Sequence, residues 1–305
     1  MRLFIFIFLL ISIYAMPAYS GELSAKAGGA VVVINRADNL WTGGKPQIQS
    51  IYERPKAATK ILPFPILDIR HIDNASGTEY FFGTSKDEPG SLTLGRGKDF
   101  DNDTYLEIYG FYSLKESGWK NPYALNRETT DIREYGAKFI FEYKNLSLSY
   151  KITQTDFKND DIGALFSELK RSGRAHTAGL SYQQMINKTY GVTPGMVYEK
   201  GAYDGKSSSY ERYEAFLGFD YMKQDIFLNA KISAKISEFA KTHPLYQQTR
   251  EDKTYEGSAI ATFLNPLGMK NYFATAGAIA SKTGSTIKFF DSRSVITFCG
   301  AGYKF

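Results

Sequence analysis

The sequence contains a single cysteine, Cys299, so no disulfide within the chain can stabilise its fold. It has three histidines, His71, His176 and His243, and none of them lies in a G-x-S-x-G or H-E-x-x-H motif. We therefore expect no catalytic residue, no metal site and no cofactor, and we interpret His176 and His243 as solvated side chains. The net charge of +5 is small for 305 residues and the basic residues are not clustered, which argues against a nucleic-acid partner.

Long apolar runs are also lacking. After residue 20 no stretch reaches the roughly 18 apolar residues of a membrane-spanning helix, which excludes a helical membrane protein. One shorter apolar run, residues 3–14, follows Arg2 and precedes small residues, a pattern typical of a signal peptide. The sequence therefore predicts a signal peptide at 1–20, cleaved near Ser20–Gly21, and one exported domain at 21–305. An N-terminal membrane helix is the alternative, but the run is short for a span.

Tryptophan is scarce, with two residues, whereas tyrosine and phenylalanine each occur 22 times. Many of these rings alternate with polar residues. Tyr135, Phe139 and Tyr143 share one face of an extended segment, and Lys138 and Glu142 share the opposite face. A period of two indicates a β-strand, because successive side chains of a strand point to opposite faces. Abundant Tyr and Phe without a long apolar run indicate a membrane barrel with aromatic belts, and a soluble secreted sandwich is the alternative.

The same alternation recurs along the chain and predicts an all-β fold, a closed antiparallel transmembrane β-barrel of about 14 strands, or 12 if the third and fourth do not form. Short periplasmic turns are expected to alternate with longer external loops, and only the connection at 86–90 is short where a long one is expected. The long connections are predicted at 37–61, 115–133, 155–174, 200–209, 239–252 and 281–292. The strands are predicted at 22–36, 62–72, 78–85, 90–97, 104–114, 134–144, 145–154, 175–185, 189–199, 210–222, 225–238, 254–264, 269–280 and 293–305.

The last predicted strand carries an assembly pattern. Phe305 is preceded on the same face by Tyr303, Ala301 and Cys299. A terminal aromatic residue with this alternation resembles the signal that the barrel-insertion machinery of the bacterial outer membrane reads. We therefore expect that machinery and the outer-membrane bilayer as partners, with Cys299 facing lipid. Because an open sheet edge would leave backbone groups unpaired in lipid, residues 293–305 are predicted to pair with the first strand.

Charged residues occupy the strand faces opposite the apolar residues. A Lys or Arg that faces lipid near the bilayer midplane costs about 2–4 kcal/mol, so we expect these charges to face a polar lumen. A barrel of about 14 strands is wider than the roughly eight-stranded barrels that side chains can fill, which favours a water-filled pore over a lumen filled by salt bridges. The candidate pore-lining residues are Glu107, Lys138, Glu142, Lys151, Arg212, Glu214, Lys231, Lys235 and Glu256.

Two of the long connections contain candidate residues for the mouth of the barrel. In the loop at 115–133, Trp119 and Tyr123 belong either to an aromatic girdle or to a loop folded into the mouth. The segment at 160–171 has helical spacing, with Ile162, Leu165, Phe166 and Leu169 on one stripe and Asp160 or Asp161 as its cap. The adjacent acids could instead bind a divalent cation, although two carboxylates do not make a coordination shell. The mouth candidates are Trp119, Lys120, Tyr123, Arg127, Asp160 and Asp161.

The loop predicted at 115–133 also resembles part of a known family. The segments 119–123 (WKNPY) and 127–131 (RETTD) resemble a loop of the outer-membrane barrel family DUF2860, in which tryptophan and lysine precede Asp or Asn, proline and tyrosine. Residues 78–85 are similar to that family's aromatic strand, with Thr84 in place of Asn, and the segments 161–163 and 169–173 resemble its next loop. The resemblance covers nearly all of the mature chain. It implies a membrane barrel without an assigned activity.

Three functions remain compatible with these patterns. The first is a passive, porin-like channel for ions or small solutes, indicated by inward charges and the absence of a catalytic motif. The second is a binding or uptake barrel for a hydrophobic or extended ligand, indicated by the size of the barrel and the segment at 160–171. The third is an outer-membrane hydrolase, which no motif in the sequence supports.

Overall fold

The computed structural model describes residues 21–84, 90–100, 103–114 and 116–305. The predicted signal peptide at 1–20 and nearly all of the predicted connection at 86–90 lie outside the described residues.

Within the described ranges the chain forms one antiparallel sheet of sixteen strands. The strands are β1 (Gly21–Ala37), β2 (Ala57–Asp73), β3 (Thr78–Thr84), β4 (Ser91–Asp99), β5 (Thr104–Ser113), β6 (Glu116–Trp119), β7 (Thr129–Tyr143), β8 (Leu146–Phe157), β9 (Gly173–Tyr182), β10 (Gln184–Met185), β11 (Tyr190–Tyr203), β12 (Tyr210–Lys223), β13 (Ile226–His243), β14 (Gln248–Leu264), β15 (Tyr272–Ser285) and β16 (Ser292–Lys304).

The sheet closes into a barrel. β16 pairs with β1 from Lys26↔Lys304 to Ala37↔Arg293, as predicted from the final strand. β6 pairs only with β7, and β10 continues the line of β9 along β11, so fourteen strands form the wall. The prediction of 14 strands is therefore confirmed, including the third and fourth. Closure pairs every wall strand on both sides, which satisfies the backbone groups that a bilayer leaves without water.

The two ends of the barrel differ. At the turn end lie Gly21, Phe305 and the short connections, of which 144–145 and 224–225 are two-residue hairpin turns. Lys144 and Gln224 adopt the left-handed backbone, φ 53° and 51°, that tight hairpin turns use. At the loop end lie the described connections 38–56, 116–128, 158–172, 204–209, 244–247 and 286–291.

Several strands extend further at the loop end than the sequence predicts. β13 and β14 continue to residues 243 and 248, so the predicted connection at 239–252 is wrong and only 244–247 joins them. β2, β7 and β15 are longer at the same end. Apolar alternation stops where the outer face no longer meets lipid, but backbone N–H and C=O groups still gain from pairing beyond that level.

The outer face of the wall is apolar. Phe139, Leu217, Ile232, Tyr255 and Val295 are among its exposed side chains. Cys299 is also exposed and pairs across the seam with Val31. Among the described residues, no helix has the length and the apolar character to cross a bilayer.

Candidate functional site

Side-chain alternation gives the barrel a charged inner face. In β12, Tyr213 and Leu217 are exposed on the outer face, whereas Glu214 points the other way and keeps 11% of its side-chain surface accessible. Lys231 and Lys235 take the same inner face of β13. Strand geometry therefore collects the charges of neighbouring strands on one surface.

An ion network joins four of the nine pore-lining candidates. Lys231 Nζ lies 3.1 Å from Glu214 Oε1, and Lys235 Nζ lies 3.6 Å from Glu214 Oε2 and 3.4 Å from Glu256 Oε2. The register explains the grouping, because Glu214 faces Lys235 directly across β12 and β13. Lys231 also packs over the ring of Phe216, 4.3 Å from its centroid. Two lysines and two carboxylates thus balance one another on this wall.

Arg212 belongs to a second group centred on Glu199. The guanidinium contacts Glu199 Oε1 at 3.0 Å, and the Tyr210 hydroxyl donates to the same oxygen at 2.6 Å. Thr177 donates to the other carboxylate oxygen at 3.0 Å. Glu199 was not among the residues predicted from the sequence. Its alternation with the outer-face residue Tyr198 is the signal that could have identified it.

The four remaining candidates lie on the wall of β5, β7 and β8, where Lys138 faces Lys151 directly across β7 and β8. Glu107 accepts a hydrogen bond from the Tyr105 hydroxyl at 2.8 Å, and Glu142 accepts one from Ser147 at 3.4 Å. Lys138 and Lys151 lie near aromatic rings of β5, each 5.9 Å from a centroid. These four residues do not join the network on β12–β14.

A further charged group at the turn end was missed. Arg70 contacts Asp68 and Glu79, each at 2.9 Å, and Lys26 lies 3.8 Å from Asp68. Lys26, Asp68 and Arg70 border a cavity of about 340 Å³ that Glu107 also lines. The alternation Asp68, Arg70, Ile72 in β2 could have revealed the group, because the three side chains share one strand face.

At the loop end, several connections fold together over the barrel. The first loop, residues 38–56, pairs with the mouth loop, residues 116–128, through two backbone hydrogen bonds. Ile48 N–H donates to Leu125 O at 3.0 Å, and Arg127 N–H donates to Pro46 O at 2.9 Å. We call the assembled loops the cap. The cap consists of residues 38–56, 116–128, 158–172, 244–247 and 286–291.

Arg127 ties the first loop to the mouth loop. Its guanidinium donates to the carbonyls of Asn39, Lys45 and Pro46 and lies 4.3 Å from the ring centroid of Trp119. Trp119 is 2% exposed. Of the two interpretations of Trp119, the structure therefore places it within the folded loops and not in an outward aromatic girdle.

An aromatic cluster forms the centre of the cap. Tyr123 packs against Phe289 and Phe290, with ring centroids 5.1 and 6.4 Å apart, and against Tyr246 at 6.1 Å. Ile48 and Ile287 complete the buried group. Burial raises the pKa of the Tyr123 hydroxyl, which stays protonated.

His243 joins this cluster and is buried, so its interpretation as a solvated loop residue is wrong. It ends β13 beyond Ile236, the last large apolar residue exposed on that strand. Leu245 N–H donates to Nδ1 at 3.3 Å, so the neutral ring carries its proton on Nε2 and donates to the Tyr123 oxygen at 2.8 Å. Burial and the nearby Arg250 cation lower the pKa of His243 to about 4.

Asp160 and Arg171 hold the segment at 158–172. Arg171 Nε and its backbone N–H each donate to the Asp160 carboxylate at 2.9 Å, and Arg171 also donates to Lys120 O at 2.9 Å. The guanidinium lies 4.1 Å from the ring centroid of Phe157. Lys120 forms an ion pair with the exposed Glu128 at 2.7 Å.

The predicted helix at 160–171 is shorter than expected. Asp160 caps a helix at Asp161–Leu165, and a 3₁₀ turn follows at Ser167–Leu169, because Phe166 between them takes an extended backbone. Ile162 and Leu169 are buried as the stripe predicts, but Leu165 is exposed. Asp161 is exposed while Asp160 is engaged by Arg171. In the described part of the chain no three His, Cys, Asp or Glu side chains come together to hold a metal.

Beneath the cap lies a cavity of about 340 Å³, which we call the cap chamber. Three arginines border it, and each is ion-paired and stacked on an aromatic ring. Arg250, for example, contacts Asp252 and lies 3.8 Å from the ring centroid of Phe290. Such pairing neutralises the guanidinium charge while leaving a planar surface towards the chamber. The cap chamber is also lined by Glu116, Phe157, Arg171, Tyr203, Tyr210, Arg212, Phe239 and His243.

Comparison with known proteins matches residues 19–304 to the model of a family described as a protein of unknown function, DUF2860. No curated protein matches the chain.

Three solved barrels illustrate the similarity in structure. The outer-membrane channel DcaP of Acinetobacter baumannii is 10% identical, over 93% of this chain and 97% of its own, with a TM-score of 0.46. A Pseudomonas aeruginosa FadL homologue is 10% identical, over 92% and 90%, with a TM-score of 0.43. LpxR from Salmonella typhimurium is 10% identical, over 90% and 99%, with a TM-score of 0.44. Similarity at this level does not carry an activity from those proteins to this chain.

Proposed function

We propose that this chain, which belongs to the DUF2860 family, is a passive outer-membrane channel for ions or small solutes, with the cap as its constriction. The observation that carries the proposal is the ion network of Glu214, Lys231, Lys235 and Glu256. A lipid-facing position would be costly for each of these charges, and a hydrated lumen stabilises them. Lys231, Lys235 and Glu256 keep 36%, 22% and 31% of their side-chain surface accessible, as expected for residues at the edge of a water path.

The wall supports the same proposal. Fourteen strands enclose more space than the roughly eight-stranded barrels that side chains alone can fill. Cavities occur at both ends of the barrel, at the cap chamber and beside Arg70. A passive channel needs such polar surfaces and no reacting group.

We propose a channel and not an enzyme because the described histidines are occupied in other ways. Both ring nitrogens of His243 make hydrogen bonds within the cap, and His176 Nδ1 lies 2.8 Å from the Tyr150 hydroxyl. His71 stacks on Tyr80, with centroids 6.5 Å apart. These contacts tie each histidine to a structural role in the wall or the cap.

Planar-bilayer recording of the purified protein tests the proposal, and stepwise conductance is the expected result. Glu214→Gln removes an inner-wall negative charge, so the reversal potential in a KCl gradient should shift towards anion preference. Glu211→Gln is the matched control, because Glu211 is exposed on the outer face in an ion pair with Lys200 at 3.1 Å. An absence of stepwise conductance from correctly folded protein would reject the channel.

The cap chamber favours a second candidate, an uptake barrel for a hydrophobic or extended ligand. Phe157, Tyr203, Tyr210 and Phe239 give the chamber aromatic walls of the kind that bind apolar ligands. In this case laurate should block the conductance of the wild-type protein, and deletion of residues 161–169 should remove the block. Equal conductance with and without laurate would leave the simple channel as the better account.

A further inference from the structure

A groove crosses the outer face of the wall near the loop end. It has a volume of about 810 Å³, and its floor is formed by Gly257 and Ala280, which pair directly across β14 and β15. Ile232 and Tyr255 stand beside it and are 64% and 65% exposed. The small residues Gly257 and Ala280 lie beside the large side chains of Ile232 and Tyr255, which leaves a depression in the lipid-facing surface.

The groove continues towards the turn end. An adjoining depression of about 570 Å³ shares Ile232, Gly257 and Ala280 with it and extends along Ala259 and Ala278. We call the two together the outer groove. Its volume and its apolar lining suit several acyl chains lying side by side against the wall.

Two cations stand at the upper edge of the outer groove. Lys282 and Arg293 pair directly across β15 and β16, and both line the groove. Like charges directly opposite each other in an antiparallel pair are destabilising. Within the part of the chain that the structure describes, neither cation has a carboxylate at salt-bridge distance. This pair therefore presents an unneutralised positive site at a fixed position on the wall.

Two other outward cations near the loop end, Lys200 and Lys253, are neutralised by carboxylates. Lys200 lies 3.1 Å from Glu211, and Lys253 lies 3.5 Å from Glu251. The pair at the outer groove differs from these two lysines in having no carboxylate partner among the described residues. An anion from outside the chain can therefore bind between Lys282 and Arg293.

The position of Lys282 and Arg293 along the bilayer normal identifies the source of that anion. Tyr303 marks the turn-end aromatic belt of β16, and Arg293 lies ten residues earlier on the same face. At about 3.3 Å per residue and a tilt of about 40°, this separation spans roughly 25 Å of bilayer, the height of the apolar band of such barrels. Arg293 therefore stands at the headgroup level of the leaflet at the loop end, where Tyr255 in the same row marks the interface.

We propose that the outer groove is a binding site for a phosphorylated lipid with several acyl chains, of the lipid A type. Its phosphate contacts Lys282 and Arg293, and its acyl chains lie over Gly257, Ala280 and Ala278. A guanidinium and an ammonium together suit a phosphate, because both donate charge-assisted hydrogen bonds to its oxygens. This site does not depend on channel activity, since it lies on the opposite face of the wall from the lumen.

Native mass spectrometry of the detergent-purified protein with added bisphosphorylated lipid A tests the site. The double variant Lys282→Ala/Arg293→Ala should lower lipid retention at least about tenfold, the loss expected from removing about 1.4 kcal/mol of binding free energy. The control Lys200→Ala/Lys253→Ala removes the same charge from outward positions near the loop end and should leave retention unchanged. Equal retention in the two double variants overturns the proposal.

Gly257→Leu provides a second variant that tests the groove itself. A Cβ added at Gly257 meets no atom within 4 Å, so a leucine there can extend into the groove without a clash at its base. Lipid A retention should fall while the barrel still folds, which supports the site. Phosphatidylglycerol retained as strongly as lipid A would reject the assignment of lipid class. A wild-type dimer that Gly257→Leu dissociates would instead assign the groove to a second copy of this chain.

Discussion

At the scale of single residues, Arg127 is the contact on which the cap most depends. Its guanidinium donates hydrogen bonds to three backbone carbonyls of the first loop and stacks on the ring of Trp119. Few other side chains could replace it, because only arginine combines a planar stacking surface with several fixed donors.

We predict that Arg127→Met opens the cap without unfolding the wall. Each lost hydrogen bond from a charged group costs about 1.5–3 kcal/mol, so the first loop should open at least about tenfold more often. Limited trypsin digestion after Lys56 measures this opening, because Lys45 and Arg54 each precede a proline and resist cleavage. Lys120→Met serves as the control, since Lys120 pairs with the exposed Glu128. Identical digestion rates in the two variants would contradict a structural role for Arg127.

His243 makes the stability of the cap depend on pH. Its pKa is lowered from 6.5 in the unfolded chain to about 4 in the cap, so protonation favours the opened loops. The cap is fully stable above pH 6.5 and loses about 3 kcal/mol as the pH falls to about 4. Hydrogen exchange of residues 244–247 between pH 7 and 4 measures this loss. His243→Gln should flatten the profile, and an unchanged profile in that variant would assign the effect to other groups.

At the scale of elements, the wall could be predicted from sequence because its signal is local. Lys138 and Glu142 alternate with Tyr135 and Phe139. Such an alternation of polar and apolar residues identifies a strand from about ten residues of sequence. The cap could not be predicted in the same way. Arg127 meets Asn39 across 88 residues of chain, and Tyr123 meets His243 across 120.

For the candidate residues, too, local features could be predicted from sequence and long-range contacts could not. Alternation placed Glu214 and Lys235 on one face, but their pairing required the register of β12 against β13. Helical spacing at 160–171 identified Ile162 and Leu169 as buried. It could not reveal the break at Phe166, which follows from the tertiary contacts of the loop.

The seam between β1 and β16 yields a prediction about assembly. Phe305 N–H donates to Ala25 O at 2.8 Å, and its ring lies 4.9 Å from that of Tyr303. Deleting Phe305 should reduce insertion into outer membranes before it alters conductance, because these contacts close the cylinder at the turn end. The amount of folded, heat-modifiable protein in outer-membrane fractions, compared between the wild type and the deletion, measures insertion. Phe305→Tyr should restore insertion, and normal insertion of the deletion would refute the expectation.

At the scale of the whole molecule, the wall and the cap have separate roles in the proposed channel. The wall supplies a closed, lipid-facing cylinder with charges on its inner face. The cap narrows one end through contacts between loops that the wall strands hold apart. Changes to the cap should therefore alter conductance without altering the barrel.

We predict that replacing residues 47–53 with glycine enlarges the single-channel conductance roughly twofold or more, because Ile48 then no longer anchors the first loop in the aromatic cluster. A control with glycine at 266–268 changes a turn-end connection, where Leu267 is almost fully exposed. Planar-bilayer recording of both variants measures the effect. Equal conductance would show that the cap does not limit flow.

The position of the two tryptophans has an optical consequence. Trp41 lies in the first loop and Trp119 in the mouth loop, so excitation near the red edge of indole absorption reports on the cap alone. The wall, rich in tyrosine and phenylalanine, is silent at that wavelength. Trp119 lies against the Arg127 guanidinium, so a change in its emission marks the moment when the two separate. Loop opening and barrel unfolding can thus be followed as separate fluorescence and circular-dichroism transitions in one unlabelled sample.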